Sequence, residues 1–263
     1  MHRKRLIVAF ILVPLFYLYI MYLPVEYLLF LLILVSSMAL IEFYSMLNLR
    51  PALSYAGVAC GAAMLVVFFS ARHYFTETLL FCAMIIMGLR LFMKRDPAYS
   101  LSEVAGVVLG LLYIPGLLSF QLSLAKAGPL WIVLLYVSVW MSDSSAYYVG
   151  KGFGKKKLYP QVSPNKTVAG ALGSVIGGGA GALLVRFILM KHVSPYHAVM
   201  LGTLTGATGI IGDLVESMFK RDSGVKDSGN ILPGHGGILD KLDSVTFAGP
   251  VFYWLCSGLG LIN

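Results

Sequence analysis

The stretch from residue 26 to residue 47 reads EYLLFLLILVSSMALIEFYSML, and its only charged residues are two glutamates. An α-helix needs about 20 apolar residues to cross the hydrocarbon core of a bilayer. A surface helix of a soluble protein would place polar residues along one face, and this stretch is apolar on all sides. The stretch therefore predicts a transmembrane helix.

The composition of the whole chain extends this prediction. Of 263 residues, 58% are hydrophobic and 12% are charged, and the mean hydropathy is +0.82. A soluble domain carries about 25% charged residues. We therefore predict an all-α polytopic integral membrane protein. The net charge of +8 is interpreted as a sign of membrane topology, and no nucleic-acid partner is expected.

Nine apolar segments have the length of a membrane span, and prolines fall in most of the connections between them. The basic start HRKR leads into the first segment without a small-residue cleavage site, so this segment is expected to remain as a helix. The predicted spans are residues 6–23, 26–47, 54–70, 77–93, 102–122, 129–149, 167–189, 196–216 and 245–262.

The basic residues predict the orientation of these spans. With a cytosolic N-terminus and an external C-terminus, only Arg72, Lys126, Arg186 and Lys191 of the 20 lysines and arginines lie outside. This is a strong excess of positive charge on the cytosolic side. We divide the chain into N-terminal scaffold helices, residues 1–122, and a catalytic region, residues 123–263. The two long loops of that region, 150–166 and 217–244, are predicted to be cytosolic.

Several acids lie at the cytosolic ends of predicted spans, where each is energetically expensive. Asp143 lies in the sixth span, Asp213 and Glu216 lie in the eighth, and Asp240 and Asp243 precede the ninth. Acids from separate spans are thus expected to converge at one membrane depth beside both loops.

Other charged residues have simpler interpretations. Glu42 and Glu103 are interpreted as acids that reach the membrane surface or favour a helix dipole. Lys155–Lys157 are expected to meet anionic lipid headgroups.

The residue types at this convergence indicate a ligand. Carboxylates without histidine or cysteine pairs suit Mg²⁺ or another hard cation. Lysines, an arginine and glycine-rich backbone suit phosphate oxygens, and His235 is a candidate for phosphate contact. Acids for metal and bases for phosphate at a membrane surface predict a nucleotide or polyphosphate that meets a lipid. The sequence lacks a Walker loop, which disfavours an ATP-driven pump.

The stretch from residue 217 to residue 244, SMFKRDSGVKDSGNILPGHGGILDKLDS, resembles the diagnostic motif of phosphatidate cytidylyltransferases, the CDP-diacylglycerol synthases. Each fixed position of the motif is filled, by Ser217, Lys220, Arg221, Lys226, Asp227, His235, Gly236, Gly237, Asp240, Lys241 and Asp243.

Two further stretches are similar to segments of that family. They are WMSDSSAYYVGKGFG, residues 140–154, and VSPNKTVAG, residues 162–170. Ala169 stands where the family usually carries glutamate, and Glu216 is a candidate to replace it. The resemblance covers roughly residues 140–245.

The resemblance implies transfer of CMP from CTP to phosphatidic acid, which gives CDP-diacylglycerol and pyrophosphate for phospholipid synthesis. It implies Mg²⁺, with a second cation left open, held by Asp213 and Asp240 with Asp243 and Asp227 nearby. The candidate catalytic residues are Asp213, Asp240, Lys226, Lys220 and Arg221. The candidate substrate-binding residues are Ser163, Lys166, Asp143, Ser217, His235, Gly236, Gly237 and Lys241.

Two alternatives stay open at this stage. A CDP-archaeol-type synthase shares the reaction type, whereas the motif of CDP-alcohol phosphotransferases is missing. An ion-coupled transporter would also carry buried acids, but no internal repeat is visible. The expected location is the bacterial inner membrane with a cytosolic active site, and the resemblance suggests a homodimer.

Overall fold

The computed structural model describes residues 13–93, 96–229 and 236–262. In these ranges the chain is predominantly helical. The ten α-helices of the described ranges are α1 (Val13–Tyr22), α2 (Val25–Met46), α3 (Pro51–Ser70), α4 (Phe75–Met93), α5 (Ser100–Leu111), α6 (Phe120–Ala127), α7 (Pro129–Phe153), α8 (Val168–Ile188), α9 (Pro195–Asp222) and α10 (Leu239–Gly258). A short 3₁₀ turn, Arg72–Tyr74, precedes α4.

The helices match the predicted segments closely, which confirms an all-α membrane protein. Six helical segments of the described ranges are long and apolar enough to cross a bilayer, with α5 and α6 counted as one segment. The helices α7 and α10 also match predicted spans, but both carry acidic residues. A total of nine crossings, and the side on which each terminus lies, remain predictions.

Local sequence explains where several helices begin. Proline is the first residue of α3, α7 and α9, where its missing N–H would have no intrahelical partner. Thr167 caps α8 by accepting a hydrogen bond from the Gly170 backbone N–H at 3.1 Å. Ser194 caps α9 in the same way, accepting from the His197 N–H at 3.1 Å.

A π-helical turn, Leu112–Gly116, joins α5 to α6. Pro115 lies within it and donates no backbone hydrogen bond, which favours a local change of helical pitch. The turn is buried among α2, α3 and α5, and Tyr113 lies on it. The turn thus places a phenol inside the helical bundle.

Glycines bring the helices of the C-terminal half unusually close together. A Cβ added at Gly178 of α8 would lie 2.3 Å from the carbonyl oxygen of Gly202 in α9. A Cβ at Gly212 of α9 would lie 2.4 Å from the carbonyl oxygen of Asp243 in α10. Small residues are the usual means by which membrane helices approach at the backbone. The contact at Gly212 holds Asp213 beside the first turns of α10.

The segment between α7 and α8 is a small antiparallel hairpin of two strands, β1 (Lys157–Tyr159) and β2 (Ser163–Thr167). It carries Ser163 and Lys166, and it ends at the residue that caps α8. A Cβ at Gly154 would lie 2.5 Å from the Thr167 hydroxyl oxygen. The hairpin is therefore folded tightly onto the end of α7, so Lys166 is held in place.

Candidate active site

Three carboxylates meet between α9 and α10. Asp213, Glu216 and Asp243 each offer an oxygen, and these oxygens lie within 4.8 Å of one another. We call these three residues the acidic group. Glu216 is completely buried, whereas the side chain of Asp213 is 36% exposed. The group therefore has one face inside the bundle and one face open to solvent.

Two lysines contact the acidic group, one from the hairpin and one from α9. Lys166, on β2, places its ammonium nitrogen 2.8 Å from an Asp213 carboxylate oxygen. Lys220, one turn after Glu216 on α9, forms ion pairs with Glu216 and with Asp240, the latter at 2.6 Å. The site thus holds cationic side chains next to carboxylates, as a site for a metal and a polyphosphate requires.

The acidic group fits a hard cation. Its donors are carboxylate oxygens, which Mg²⁺ and Ca²⁺ prefer. Among the described residues, neither carboxylate oxygen of the buried Glu216 takes part in a hydrogen bond of good geometry, although the Lys220 ammonium lies beside one of them. A buried carboxylate with an unused oxygen is favourable only when a cation or a proton satisfies it. The identity of the metal is a prediction.

Asp240 has contacts of a different kind. Its carboxylate accepts hydrogen bonds from the Ser228 N–H at 3.2 Å, the Gly237 N–H at 2.7 Å and the Lys220 ammonium at 2.6 Å. Asp240 therefore holds Ser228 and Gly237, which lie in the described parts of the 223–238 loop, residues 223–229 and 236–238. Glu216, and not Asp240, joins Asp213 and Asp243 in the acidic group. A metal role for Asp240 stays a prediction.

Asp143 and Ser217 both border the acidic group. Ser217 donates a hydrogen bond to Asp213 at 3.3 Å, and Ser244 donates one to Asp143 at 3.4 Å. Asp143 also lies close enough to Asp213 to interact with it electrostatically. The structure thus brings a residue of α7 to the site formed by α9 and α10.

The remaining predicted residues lie around the 223–238 loop. Arg221 donates to the carbonyl oxygens of Val162, at 3.2 Å, and Val225, at 3.0 Å, so it ties the hairpin to this loop. Lys226, Asp227 and Lys241 are exposed. Asp227 is not part of the acidic group, and its metal role stays a prediction.

Three positions of the motif concern its glycine-rich part. His235 lies outside the described residues. Gly236 has a φ of +82°, a conformation that favours glycine. A Cβ at Gly237 would lie 2.2 Å from the Ser228 hydroxyl oxygen. Gly236 is therefore favoured by its backbone conformation, and Gly237 by the close approach of neighbouring side chains, whatever either contacts in a bound substrate.

Two acids of the scaffold have roles that the sequence interpretation missed. Glu42 is 4% exposed and accepts three hydrogen bonds from residues at the start of α10 and from Ser228. Glu103 pairs with Arg50, at 3.1 Å, and with Arg90. The part of the interpretation that sent both acids to the membrane surface was wrong, because each is satisfied inside the protein. The helix-dipole part agrees with the structure, since Glu103 lies in the first turn of α5 and Glu42 accepts N–H groups at the start of α10. Their positions within apolar segments were the available signal.

Tyr113 is a further residue that the sequence did not indicate. It is 4% exposed, and among the described residues its hydroxyl has no hydrogen-bond partner. Its ring packs near Phe219 of α9 and Phe247 of α10, with centroids 5.5 and 6.2 Å away. The Tyr113 side chain thus lies against α9 and α10, the two helices that carry the acidic group.

The similarity of this chain to known proteins shows its family. The model of the cytidylyltransferase family matches residues 3–259. The chain therefore belongs to the cytidylyltransferase family.

Several curated relatives bear the name phosphatidate cytidylyltransferase. The protein of Bacillus subtilis is 36% identical over 182 residues, which cover 68% of this chain and 67% of that protein. The protein of Staphylococcus haemolyticus is 33% identical over 229 residues, 83% of this chain and 85% of the relative. The protein of Staphylococcus epidermidis is 38% identical over 160 residues, and the match spans 61% of this chain and 59% of that relative's length.

Proposed function

We propose that this protein is a phosphatidate cytidylyltransferase, which transfers CMP from CTP to phosphatidic acid and releases CDP-diacylglycerol and pyrophosphate. The observation that carries the proposal is the acidic group, flanked by Lys166 and Lys220, in an apolar helical chain of the cytidylyltransferase family. The names of the relatives support the same substrates.

The reaction needs charge control more than it needs a base. The phosphate of phosphatidic acid is already anionic at neutral pH, so an oxygen of it can attack the α-phosphorus of CTP directly. A new P–O–P linkage forms as the bond from the α-phosphorus to the bridging oxygen breaks, and pyrophosphate leaves with the electron pair. The main barrier is the approach of two anions and the charge on the leaving group.

The residues of the site suit this task. When bound, a divalent cation such as Mg²⁺ would neutralise and align phosphate oxygens, and Asp213, Glu216 and Asp243 would hold it. Lys166 and Lys220 would offset phosphate charge, with Lys226, Arg221 and Lys241 as further candidates. Ser163 lies on the same hairpin as Lys166 and is a candidate for substrate contact.

The position of the site in the membrane completes the proposal. The acidic group lies near the ends of α9 and α10, where a lipid can stay in the bilayer while its headgroup meets a soluble nucleotide. We place this end on the cytosolic side of the bacterial inner membrane, on the distribution of lysine and arginine. A homodimer remains a prediction from the family resemblance.

The orientation is tested by cysteine labelling. The native cysteines Cys60, Cys82 and Cys256 are buried, so they give little background with a membrane-impermeant reagent. Lys156→Cys and Lys226→Cys are expected to react in inside-out vesicles and to resist in intact cells. Reaction of either in intact cells would contradict a cytosolic site.

The activity is tested with purified protein, CTP labelled at the α-phosphate, and lipid in mixed micelles. We expect label in the lipid product and an equal amount of pyrophosphate, both abolished by chelation of divalent cations. Diacyl phosphatidic acid is expected to react faster than an archaeal-type ether analogue. Turnover of the ether lipid alone would favour the CDP-archaeol reaction, and the absence of product with either lipid would refute the proposal.

A further inference from the structure

Glu42 makes unusual contacts for an acid in a scaffold helix. One carboxylate oxygen accepts hydrogen bonds from the Ser228 hydroxyl and the Leu239 N–H, both at 2.9 Å. The other oxygen accepts from the Ile238 N–H at 2.9 Å. These partners lie 186 to 197 positions later in the chain. A buried carboxylate is expensive unless hydrogen bonds satisfy it, and here all of those described come from one loop and one helix start.

The N-terminus of α10 explains two of these hydrogen bonds. The first backbone N–H groups of a helix have no partner within the helix. The residue at the N-cap position of α10 is Ile238, which offers no side-chain acceptor. Glu42 accepts the N–H groups of Ile238 and Leu239 instead, and its negative charge is favoured at this end of the helix dipole. Glu42 therefore caps α10 from a different helix.

The third hydrogen bond connects Glu42 to the site. The Ser228 hydroxyl lies 2.9 Å from Glu42 and 3.1 Å from Asp240, so its proton is shared between two carboxylates. Asp240 in turn contacts Lys220, which pairs with Glu216 of the acidic group. A continuous series of polar contacts thus runs from the scaffold helix α2 to the acidic group.

Two glycines of the loop make room for Glu42. A Cβ at Gly229 would lie 2.6 Å from one carboxylate oxygen of Glu42, and a Cβ at Gly237 would lie 2.3 Å from the other. Contacts this short do not occur with a real side chain, so only glycine permits the approach of Glu42 at these two positions. Gly237 belongs to the motif of the active-site loop. The close approach of Glu42, a scaffold residue, therefore helps to explain why this motif position carries no side chain.

We infer that Glu42 is a positioning residue of the active site, which holds Ser228, Gly237 and the start of α10 in the conformation that binds the substrate phosphates. The inference rests on the proposed function for the identity of the substrate. It makes an N-terminal scaffold helix part of the catalytic machinery, because Asp240, Lys220 and the loop backbone depend on Glu42 for their arrangement.

The test compares Glu42→Gln with Glu103→Gln, the same substitution at another buried acid of the scaffold. Glutamine keeps the size of Glu42 but replaces one acceptor oxygen with an NH₂ group. This group would face a backbone N–H donor and could not accept its hydrogen bond. We expect Glu42→Gln to lower kcat/KM for CTP by at least about tenfold, the effect of about 1.4 kcal/mol. Among the described residues, Glu103 pairs with Arg50 and Arg90 and not with the loop, so Glu103→Gln is expected to leave kcat/KM per folded molecule unchanged.

A second measurement reports the loop directly. Hydrogen–deuterium exchange of peptides that cover residues 223–242 is expected to accelerate in Glu42→Gln and to stay at the wild-type rate in Glu103→Gln. Glu42→Asp retains the charge on a shorter side chain, and it is expected to restore part of both the exchange protection and kcat/KM. If Glu42 only stabilised the fold, Glu42→Gln would lower the melting temperature without a specific change in loop exchange and kcat/KM, and Glu42→Asp would not restore either.

Ser228→Ala tests the inference independently of whether Glu42→Gln folds. It removes only the shared hydroxyl and is expected to accelerate loop exchange and lower kcat/KM by a smaller factor. In the double variant the loss should be close to that of Glu42→Gln alone, because both changes break the same connection. The inference is refuted if Glu42→Gln shows the kinetics and loop exchange of the wild type, and the proposed function is then unaffected. If Glu42→Gln does not accumulate, the same result in Ser228→Ala refutes the inference. Inactive wild-type protein would refute the function, and loop exchange would still decide the role of Glu42.

Discussion

Two groups of buried charge in this protein differ in how their charges balance. In the scaffold, Glu103 lies between Arg50 and Arg90, and Arg90 also donates to the carbonyl oxygens of Asp96 and Ala98. At the candidate active site, the acidic group is joined by Asp143 and Asp240. Among the described residues, those five carboxylates contact only two ammonium groups, Lys166 and Lys220.

The difference indicates what each group does. The charges of the scaffold group are satisfied within the protein, so the group joins α3, α4 and α5 and needs nothing from outside. The site has an excess of negative charge in a poorly solvated place, and bound protons or a bound cation must offset it. The first arrangement suits a structural role, and the second holds unfavourable interactions that a bound cation would relieve.

The largest expected effect comes from removing one charge of the acidic group. Asp213→Asn keeps the shape of the side chain and removes one negative charge of the proposed metal site. Loss of groups that merely orient metal ligands costs about 10- to 100-fold, so loss of this carboxylate should lower activity by more than about a hundredfold. The melting temperature should equal or exceed that of the wild type, because one of several neighbouring negative charges is removed. CDP-diacylglycerol formation and thermal unfolding measure the two quantities.

The partner variant Asp243→Asn sharpens this prediction. Both residues belong to one group, so the double variant should be barely worse than either single variant. Binding of Mn²⁺, followed by electron paramagnetic resonance, should weaken in each. Near-normal activity with normal Mn²⁺ binding in Asp213→Asn would show that the acidic group is not the metal site.

The scaffold group should respond in the opposite way. Glu103→Gln leaves the Arg90 side chain, which is 4% exposed, without its carboxylate. Breaking a buried ion pair costs about 3 kcal/mol or more, so the melting temperature should fall clearly while activity per folded molecule stays normal. Arg50→Gln should cost less, because the Arg50 side chain is 35% exposed. Equal stability of Glu103→Gln and wild type would remove the distinction between the two groups.

The helices of this protein could be predicted from the sequence because their causes are local. Apolar length defines each span, and proline marks several of their starts, as at Pro51, Pro129 and Pro195. The residues of the 217–244 motif were predicted to cluster, and many of them do lie around one site. What each contributes as a ligand remains a prediction.

The arrangement within the site could not be predicted, because it depends on contacts between distant segments. Gly212 determines how closely α10 approaches α9, and this approach places Glu216, and not Asp240, with Asp213 and Asp243. The role of Glu42 depends on partners almost 200 positions away. No periodicity or motif spacing records such a contact.

The exposed lysines near the site should show a smaller effect. Lys226 lies in the 223–238 loop, and Lys156 lies beside β1; both are exposed. A hydrogen bond to a charged group contributes about 1.5–3 kcal/mol, so Lys226→Ala should lower kcat/KM for CTP by about ten- to a hundredfold. Lys156→Ala should leave it unchanged. Equal and small effects of both would mean that these lysines form only a lipid-facing surface.

The smallest expected effects concern two buried tyrosines. Tyr44 contacts the scaffold helix α5, and Tyr113 packs near α9 and α10 of the candidate active site. The hydroxyl of Tyr44 donates to the Val107 carbonyl at 3.1 Å, whereas no partner for the Tyr113 hydroxyl is found among the described residues. Tyr44→Phe should therefore lower stability by about 1 kcal/mol and leave activity unchanged.

Tyr113→Phe breaks no such bond, so stability should be unchanged or slightly higher. Since the Tyr113 ring packs near Phe219 and Phe247, on the two helices that carry the acidic group, we expect activity to fall by about three- to tenfold, the effect of one weak hydrogen bond to a bound ligand. Thermal unfolding and steady-state kinetics of both variants, measured at equal Mg²⁺ concentration, decide this. Wild-type activity in Tyr113→Phe would show that Tyr113 belongs to the scaffold. The active site would then not extend to the turn that carries Tyr113.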